Sequence, residues 1–390
     1  MHHFPIGATV TQQQLSGDPY PIFHRLRPSE PVTWAPAIGQ WLVTSRALAL
    51  EVLRDPERFR TDEPISPIRD TFGPQMLSTE GELQRRYKSA CAPPFNARAV
   101  DASRRMVQEI VDARAAMLSR SEVIELRSAY AAPVAVSTIA RVIGLPATLD
   151  GQLRAWYETF ADALMNYARD PVTRTRAHAA AQAFRDEIAP RLAAPNPSEQ
   201  TLLGGLAGAH PRLLDDGEIG SNALIILFGG IETTEAMIAN ALWALLTHPD
   251  VLNRARDSDD VLERCIDESL RWEPAVQTCT RYVPERTSLG GIEIPREALV
   301  QVMLGAINRD PAHYADPDRF DPWRKETIAH TSFGAGRHFC LGAALARLEA
   351  RLAIRRLLDD CPAIRLDLAR STPPSGHEFR KPNALSVHLG

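Results

Sequence analysis

The sequence is poor in cysteine and carries little excess charge, and each deficit excludes a class of protein. Its 390 residues include five cysteines, an odd number with no Cys-x-x-Cys spacing, which argues against a disulfide framework and a zinc site. Lysine and arginine total 44 and aspartate and glutamate total 48, giving a net charge of −4, so no nucleic-acid partner is expected. The composition predicts a reduced, cytoplasmic protein whose core is large enough to surround a cofactor.

Long hydrophobic runs are also missing. The first residues, Met-His-His-Phe-Pro, provide neither the basic start nor the apolar stretch of a signal peptide. The most apolar segment, residues 219–246, is interrupted by four polar residues, Asn222, Glu232, Glu235 and Asn240. Its longest apolar run, residues 223–231, is far shorter than the roughly 20 residues that span a bilayer. The segment is therefore predicted to be a buried helix, and no membrane contact is expected.

Helical periodicity predominates, with short strands near both ends of the chain. The predicted helices cover residues 21–27, 46–54, most of 82–191, 219–246, one or two segments of 249–272, and 343–358. The predicted strands cover residues 32–35 and 40–44, a hairpin at 287–294 and an extended tail at 379–388. Residues 61–78 and 189–198 are predicted loops because of their prolines and glycines. Without a repeat or a dividing linker, residues 1–390 are predicted to form a single, mainly α domain with small β-sheets.

One cysteine lies in a glycine-rich loop. Residues 332–342 have the sequence Ser-Phe-Gly-Ala-Gly-Arg-His-Phe-Cys-Leu-Gly and lead into a predicted helix. A single thiolate can be the axial ligand of haem iron, where its electron donation favours O–O cleavage. We expect Gly334, Gly336 and Gly342 to adopt positive φ angles and to lie close to a flat ligand. Backbone amides and the start of the helix favour negative charge on the sulfur of Cys340.

Other interpretations of this loop are weaker. A Gly-x-Gly run also occurs in dinucleotide-binding turns, but Phe339 stands where the third glycine would be, and residues 323–331 have no strand-like apolar run. Most free cysteines are small buried hydrophobic residues. That is the expectation for the other four, Cys91, Cys265, Cys279 and Cys361.

The loop resembles the haem-binding segment of the cytochrome P-450 superfamily of haem-thiolate monooxygenases, Phe-Gly-x-Gly-x-His-x-Cys-x-Gly. All six fixed positions match. The resemblance implies a helical domain that encloses haem b, with Cys340 as the iron ligand and O2 as co-substrate. Phe333 would shield the sulfur from water and His338 would reach a haem carboxylate, while Gly336 and Gly342 would shape the loop.

A second motif lies in the apolar segment. Residues 229–234 have the sequence Gly-Gly-Ile-Glu-Thr-Thr, and two glycines with adjacent threonines weaken a helix and predict a bulge or kink. Its polar residues could simply face solvent, although Glu232 shares a face with Phe228 and Ala236. The family carries Ala-Gly-x-Asp/Glu-Thr-Thr here, which implies that Thr233 hydrogen-bonds dioxygen and that Glu232 supplies protons. Gly229 replaces the alanine and would either enlarge the pocket or let the bulge shift.

Further family motifs predict how the fold and the haem are held. The resemblance implies a buried charge network of Glu268 and Arg271, completed by Arg319 in the segment Pro-Asp-Arg-Phe. It also implies that Arg281 and His338 bind the haem propionates. By itself Arg281 could equally be an ordinary surface arginine.

One helix departs from the family pattern. A His-x-x-x-Arg pair usually precedes a phenylalanine by 11 residues, and counting back from Phe95 gives Gln84 and Lys88. Gln84 can still donate a hydrogen bond and Lys88 still brings charge, but the bidentate fork of arginine is lost. Alternatively, a slipped helix would give this role to Arg85 or Arg86.

Electrons must come from outside the chain, because it contains no flavin or nicotinamide motif and no iron–sulfur cysteine cluster. The resemblance implies an acidic ferredoxin with its reductase, docking on a basic patch of Arg85, Arg86, Lys88, Arg337 and Arg347. The substrate pocket is expected to be lined by residues 61–78, Leu224, Ile225, Phe228, residues 276–278 and the turn before Phe379. These positions are mainly apolar, so a small or mid-sized hydrophobic substrate is expected.

Two alternatives remain open at this point. A haem-thiolate peroxygenase would use hydrogen peroxide, although the Glu232-Thr233 pair argues against it because peroxide brings its own protons. A non-catalytic haem sensor or carrier would keep Cys340 but would have no use for that pair.

Overall fold

The computed structural model describes residues 3–119, 123–166, 170–196, 200–325 and 328–390. These residues form fifteen α-helices: α1 (Gln12–Ser16), α2 (Tyr20–Ser29), α3 (Arg46–Arg54), α4 (Pro67–Phe72), α5 (Gly81–Cys91), α6 (Ala97–Ala115), α7 (Ala132–Ile143), α8 (Asp150–Leu164), α9 (Pro171–Ala193), α10 (Leu202–Gly208), α11 (Asp216–Thr247), α12 (Pro249–Asp257), α13 (Asp259–Trp272), α14 (Leu304–Ile307) and α15 (Ala343–Asp360).

Eleven short strands accompany these helices in the described part of the chain. They are β1 (Val32–Ala35), β2 (Gln40–Val43), β3 (Val123–Glu125), β4 (Thr278–Tyr282), β5 (Thr287–Leu289), β6 (Ile292–Ile294), β7 (Leu299–Met303), β8 (Arg365–Leu366), β9 (Pro374–Ser375), β10 (Lys381–Pro382) and β11 (Ser386–His388). The largest sheet has the order β1-β2-β7-β4, with β2 and β7 parallel and the other neighbours antiparallel. The second sheet, β3-β11-β8, and the hairpins β5-β6 and β9-β10 are antiparallel.

The long helix α11 runs through the main hydrophobic core. It begins with a capping box in which Asp215 accepts a hydrogen bond from the Glu218 amide at 2.8 Å and Glu218 accepts one from the Asp215 amide at 3.1 Å. Among the described helices, α11 is long and apolar enough to span a membrane, but 78% of its most apolar window is buried in the protein. Asn240 supports this burial by donating to the carbonyls of Glu273 and Arg380. The helix is therefore a core element.

Helices α7 and α11 cross in close contact at Gly230. A Cβ atom at this position would lie 2.5 Å from Cγ1 of Ile139, so only glycine fits there. Helix α11 is assigned without a break from Asp216 to Thr247, so it contains no bulge at residues 229–234, and the alternative of a kink stays a prediction. Gly230 has a packing role, since it lets the two helices approach closely.

Most predicted elements are present, including the hairpin β5-β6 with Gly290 and Gly291 at positive φ. Two loop predictions are wrong. Residues 67–72 form α4, because Ser66 caps its start and Phe72 is fully buried. Helix α9 continues to Ala193, because Ile188 and Leu192 pack into the core. Of the second predicted loop, residues 197–199 lie outside the described residues. The prediction also missed the strands β3, β4, β7, β8 and β9 and the short helices α1, α10 and α14.

Candidate haem-thiolate site

The cysteine loop is held by backbone constraints. The Cys340 amide donates to the Phe333 carbonyl at 2.9 Å, and Gly334 and Gly336 have φ angles of +73° and +70°. A side chain on Gly336 would collide with the backbone at Leu53. The prediction for Gly342 is wrong, because its φ is −88°; it directly precedes α15.

The Cys340 sulfur faces a large cavity of about 440 Å³. The amides of Gly342 and Ala343, at the start of α15, hydrogen-bond to it. Burial raises the pKa of the thiol, while these amides and the charges of Lys88 and Arg347 act in the opposite direction. Cys340 is exposed to this cavity, and a thiolate at this position has hydrogen-bond donors and positive charge around it.

The other four cysteines differ from Cys340. Cys91, Cys265 and Cys361 are buried, and burial raises the pKa of Cys91 and Cys265 to about 12. Cys279, however, is only half-buried and lines the cavity. The prediction of a buried hydrophobic residue is therefore wrong for Cys279. The reason is that β4 forms a wall of the cavity.

Helix α5 presents Gln84 and Lys88 to the cavity and the cysteine loop. The Lys88 ammonium donates to the carbonyls of Arg337 and Phe339 at 2.7 Å each, and the Gln84 amide reaches the Arg337 carbonyl at 3.4 Å. Arg86 instead pairs with Glu218 on the outside. The helix is therefore not slipped: Gln84 and Lys88 line the cavity, whereas Arg85 and Arg86 do not.

A buried charged cluster borders the same cavity. His338 Nε2 lies 2.9 Å from Glu80 Oε1, which also accepts hydrogen bonds from the amide and hydroxyl of Thr61. Burial would raise the pKa of Glu80, but these partners hold it below its usual value. Burial lowers the pKa of His338, with the Glu80 hydrogen bond opposing this.

Arg281 is a buried cation that lines the cavity without a carboxylate partner among the described residues. It is 6% exposed and lines the cavity, and its Nη1 donates to the Thr280 carbonyl at 2.9 Å. Among the described residues no carboxylate forms an ion pair with it, and burial lowers its pKa. Desolvation of an unpaired charge is costly. A dianionic ligand in the cavity would remove that cost.

These features fit haem b. The cavity offers a sulfur on one side, the buried guanidinium of Arg281, the half-buried Lys88 ammonium and the His338 imidazole for two propionates, and open space at Gly229, where an added Cβ would meet no atom within 4 Å. The chain thus has a place for the iron ligand, the acidic edge of the porphyrin and its flat face.

The predicted acid and alcohol lie on different sides of α11. Thr233 lines the cavity, and its hydroxyl donates to the Gly229 carbonyl at 2.6 Å. Glu232 is 7% exposed and points to the terminal hairpin, where its Oε1 lies 2.9 Å from Lys381 Nζ. Lys381 also lies 3.2 Å from Glu235 Oε1. The contact with Lys381 was not predicted, because this lysine is remote from Glu232 in the chain and no motif links the two residues.

The buried charge network has a different third member from the predicted one. Arg271 binds both oxygens of Glu268 at 2.8 Å, as expected. Arg319 is exposed and contributes its carbonyl, so its predicted side-chain role is wrong. Arg324 instead donates to Glu268 at 2.9 Å, because the turn after Phe320 carries it inward.

The pocket prediction is largely met. The cavity is lined by Ile225, Phe228, Val276, Thr278, Phe379 and seven residues of the 61–78 segment. Leu224 does not line it, since it lies on the core side of α11. The prediction missed three acids in the lining, Glu63, Glu349 and Glu378.

The predicted basic patch is largely neutralised. Arg86 pairs with Glu218, Arg337 with Glu80 and Arg347 with Asp267, while Lys88 caps carbonyl groups. Arg85 is exposed. Most of the basic side chains predicted to form this patch are therefore paired with carboxylates or carbonyl groups of the protein.

Comparison with known proteins agrees with this geometry. Residues 177–364 match the family model "Cytochrome P450". The chain is 33% identical to cytochrome P450 monooxygenase PikC of Streptomyces venezuelae, over 92% of this chain and 87% of that protein. It is 29% identical to 6-deoxyerythronolide B hydroxylase of Saccharopolyspora erythraea, over 90% of each protein.

A solved structure supports the fold in the same way. P450BioI, in complex with an acyl carrier protein carrying hexadec-9Z-enoic acid, superposes with a TM-score of 0.87 and 28% identity, over 97% of this chain and 100% of that one. The helical fold, the cysteine-facing cavity and these relatives lead to one conclusion. The chain belongs to the cytochrome P450 family and is a monooxygenase that uses haem b and O2.

Proposed function

We propose that this protein is a single-domain, cytoplasmic monooxygenase that hydroxylates or otherwise oxidises a small to mid-sized hydrophobic molecule, with electrons from an external ferredoxin and its reductase. The observation that carries the proposal is the single cavity that joins Cys340 to Thr233 between apolar walls. It brings a sulfur ligand, a hydroxyl and a hydrophobic substrate space together.

Each part of the chain has a task in this proposal. Haem held by Cys340 would supply the activation of O2 when bound. Arg281, His338 and Lys88 would hold its propionates. The Thr233 hydroxyl, now bonded to the Gly229 carbonyl at 2.6 Å, can turn its proton toward the cavity. Glu232 is held by Lys381 at 2.9 Å and would replace that proton from outside the cavity.

The walls support a hydrophobic substrate. The Phe228 ring packs on those of Phe72 and Phe379, with centroids 6.0 and 5.9 Å apart. Ile225 and Val276 continue this apolar lining. Such a surface excludes water and positions a substrate by shape and contact area. PikC and the 6-deoxyerythronolide B hydroxylase are named as oxidising enzymes of the same family, which supports the class of reaction.

The surface for an electron donor is expected beside α15. A groove there is lined by residues of α6, α13 and α15, including four arginines and four carboxylates: Arg104, Arg264, Arg347, Arg351, Asp101, Asp260, Glu263 and Asp267. The mixed charges favour a donor whose own surface offers specific ion pairs. A ferredoxin would dock close to the cysteine loop, since α15 begins directly after it.

A two-step experiment tests the proposal. Ferric holoenzyme is first screened with hydrophobic compounds for a spin-state shift of the Soret band, and the hits are incubated with NADPH, ferredoxin and ferredoxin reductase. An oxygenated product that requires the complete electron chain is the expected result. Equal or faster turnover with hydrogen peroxide alone would identify a peroxygenase. Binding without product under either condition would identify a carrier or sensor.

A further inference from the structure

The ring of Phe333, which lines the cavity together with Cys340, is contacted by a polar cluster. The Arg347 guanidinium lies 4.5 Å from the centre of the ring, and the centre of the His330 ring lies 5.9 Å from it. Phe333 is also tied to the cysteine, since its carbonyl accepts the Cys340 amide at 2.9 Å. A cation and an imidazole therefore pack on the residue that is expected to shield the sulfur.

Asp267 of α13 joins the two polar groups of this cluster. Its Oδ1 accepts hydrogen bonds from Nε and Nη2 of Arg347 at 3.2 and 2.9 Å. The same oxygen lies 3.2 Å from Nε2 of His330. The Ser332 amide donates to the other ring nitrogen, Nδ1, at 3.2 Å, which places the proton of the neutral imidazole on Nε2, facing Asp267.

The carboxylate of Asp267 is ionised at neutral pH. Partial burial raises its pKa, but the hydrogen bonds and charges of His330 and Arg347 outweigh this effect and lower the pKa to about 2. Asp267 and Arg347 therefore form a pair of opposite charges, and His330 holds the acidic member in place. The side chains of the pair are 55% and 41% exposed, whereas that of His330 is 5% exposed.

The charged pair lies outside the cavity but acts on the cysteine. Asp267 and Arg347 line the groove of α6, α13 and α15, whereas Phe333 and Cys340 line the cavity. Burial raises the pKa of the Cys340 thiol, and the charge of Arg347 is among the effects that oppose this. Because Asp267 carries the opposite charge next to Arg347, the two effects at the sulfur partly cancel.

We propose that Asp267 and Arg347 are positioning residues that set the reduction potential of the haem through the balance of their charges beside Phe333 and Cys340. A positive charge near the iron favours the ferrous state, which carries one positive charge less than the ferric state, and a negative charge favours the ferric state. Charge and hydrogen bonding around the ligand are general means by which a protein adjusts this potential. The inference rests on the proposed ligation of iron by Cys340.

Midpoint potentials of the substrate-free holoenzyme, titrated with small-molecule mediators and without a protein donor, test this role. Asp267→Asn leaves the charge of Arg347 uncompensated and should raise the potential. Arg347→Leu leaves the carboxylate uncompensated and should lower it. Because both side chains are about half exposed, we expect each change to alter the equilibrium constant for reduction about threefold. This is about 28 mV, at about 59 mV for each factor of ten.

Three further variants separate charge from other effects. The double variant Asp267→Asn/Arg347→Leu has no charge at either position and should return most of the way to the wild-type potential. Arg347→Lys keeps the charge but loses the planar stacking on Phe333, and it should remain close to the wild type. Arg351→Leu is the control and should leave the potential unchanged, because Arg351 pairs with Glu263 one turn further from the cysteine in the same groove.

The possible failures are distinguishable. If Asp267→Asn and Arg347→Leu shift the potential in the same direction, or if neither shifts it further than Arg351→Leu, the inference is refuted and the proposed monooxygenase stands. A shift in Arg347→Lys as large as that in Arg347→Leu would also refute it, because the charge is retained. If reduced wild-type protein with carbon monoxide lacks the absorption typical of thiolate ligation, the proposed function itself fails. Haem content and the same spectrum establish that each variant is intact.

Discussion

Lys381 Nζ lies 2.9 Å from Glu232 Oε1 and 3.2 Å from Glu235 Oε1, so one ammonium joins the terminal strand β10 to the long helix α11. Arg127 Nη1 lies 3.5 Å from the same Glu235 oxygen. The side chains of Lys381, Glu232 and Glu235 are largely buried, whereas that of Arg127 is 29% exposed. The acid next to Thr233 is therefore held by a cation that lies 149 positions further along the chain.

Replacement of this cation is expected to affect stability in a pH-dependent way. Burial raises the pKa of Glu235, and Lys381 opposes this. Because the native carboxyl keeps its proton to a higher pH than the unfolded one, ionising it costs stability as pH rises through that interval. Lys381→Met should raise the native pKa of Glu235 further and so widen the interval between its native and unfolded pKa values. Its destabilisation, about 3 kcal/mol at neutral pH, should therefore be larger near pH 8 than near pH 5.

Urea unfolding of the holoenzyme at both pH values measures this difference. Lys325→Met, at an exposed position, is the control and should follow the wild type. A Lys381→Met variant that is equally destabilised at both pH values would contradict the assigned role of Glu235.

Loss of the Thr233 hydroxyl should separate electron use from product formation. We expect Thr233→Ala to lower product formation about tenfold or more, as for loss of a proton donor, while NADPH consumption continues and haem content is unchanged. Thr247→Ala is the matched control, because its hydroxyl makes the same bond to the preceding turn, at 2.7 Å to the Trp243 carbonyl, near the end of α11. Unchanged coupling in Thr233→Ala would remove it from the mechanism.

The corrected charge network predicts opposite outcomes for two nearby arginines. Arg324→Ala should remove one of the two arginines that bind the buried Glu268 carboxylate and reduce the yield of haem-loaded protein. Glu268→Ala should leave the buried Arg271 without its carboxylate, at a cost of about 3–5 kcal/mol, and should reduce that yield further. Arg319→Ala should be nearly neutral, because that side chain is exposed. The measurement is the ratio of Soret to protein absorbance after purification. Similar losses for both arginines would refute the assignment of Arg324.

The unusual helix α5 should control haem retention. Lys88→Met removes two hydrogen bonds to carbonyls of the cysteine loop and one cation near the expected propionates. We expect haem to transfer to apomyoglobin about tenfold faster, since hydrogen bonds to charged groups contribute about 1.5–3 kcal/mol. Arg85→Met, on the exposed side of the same helix, serves as the comparison. Equal transfer rates for the two variants would argue against a role for Lys88.

Local motifs could be predicted from the sequence because their partners are close in the chain. The turn at Gly334 and Gly336 and the hydroxyl of Thr233 over Gly229 are determined within a few residues. The ion pair of Lys381 with Glu232 depends on how distant segments meet, and no spacing rule indicates it. Arg324 could have been predicted as the partner of Glu268, because it follows Phe320 closely in the chain. Arg319 also lies next to Phe320 and carries the same charge, so the sequence alone does not distinguish the two arginines.

The neighbouring glycines of α11 have opposite mutational tolerance. Position 230 is closed to any larger residue by Ile139 of α7, whereas position 229 opens onto free space. Directed evolution of this enzyme can therefore adjust the volume above the porphyrin one methyl group at a time at position 229, and libraries that randomise both positions would lose most of their members to misfolding.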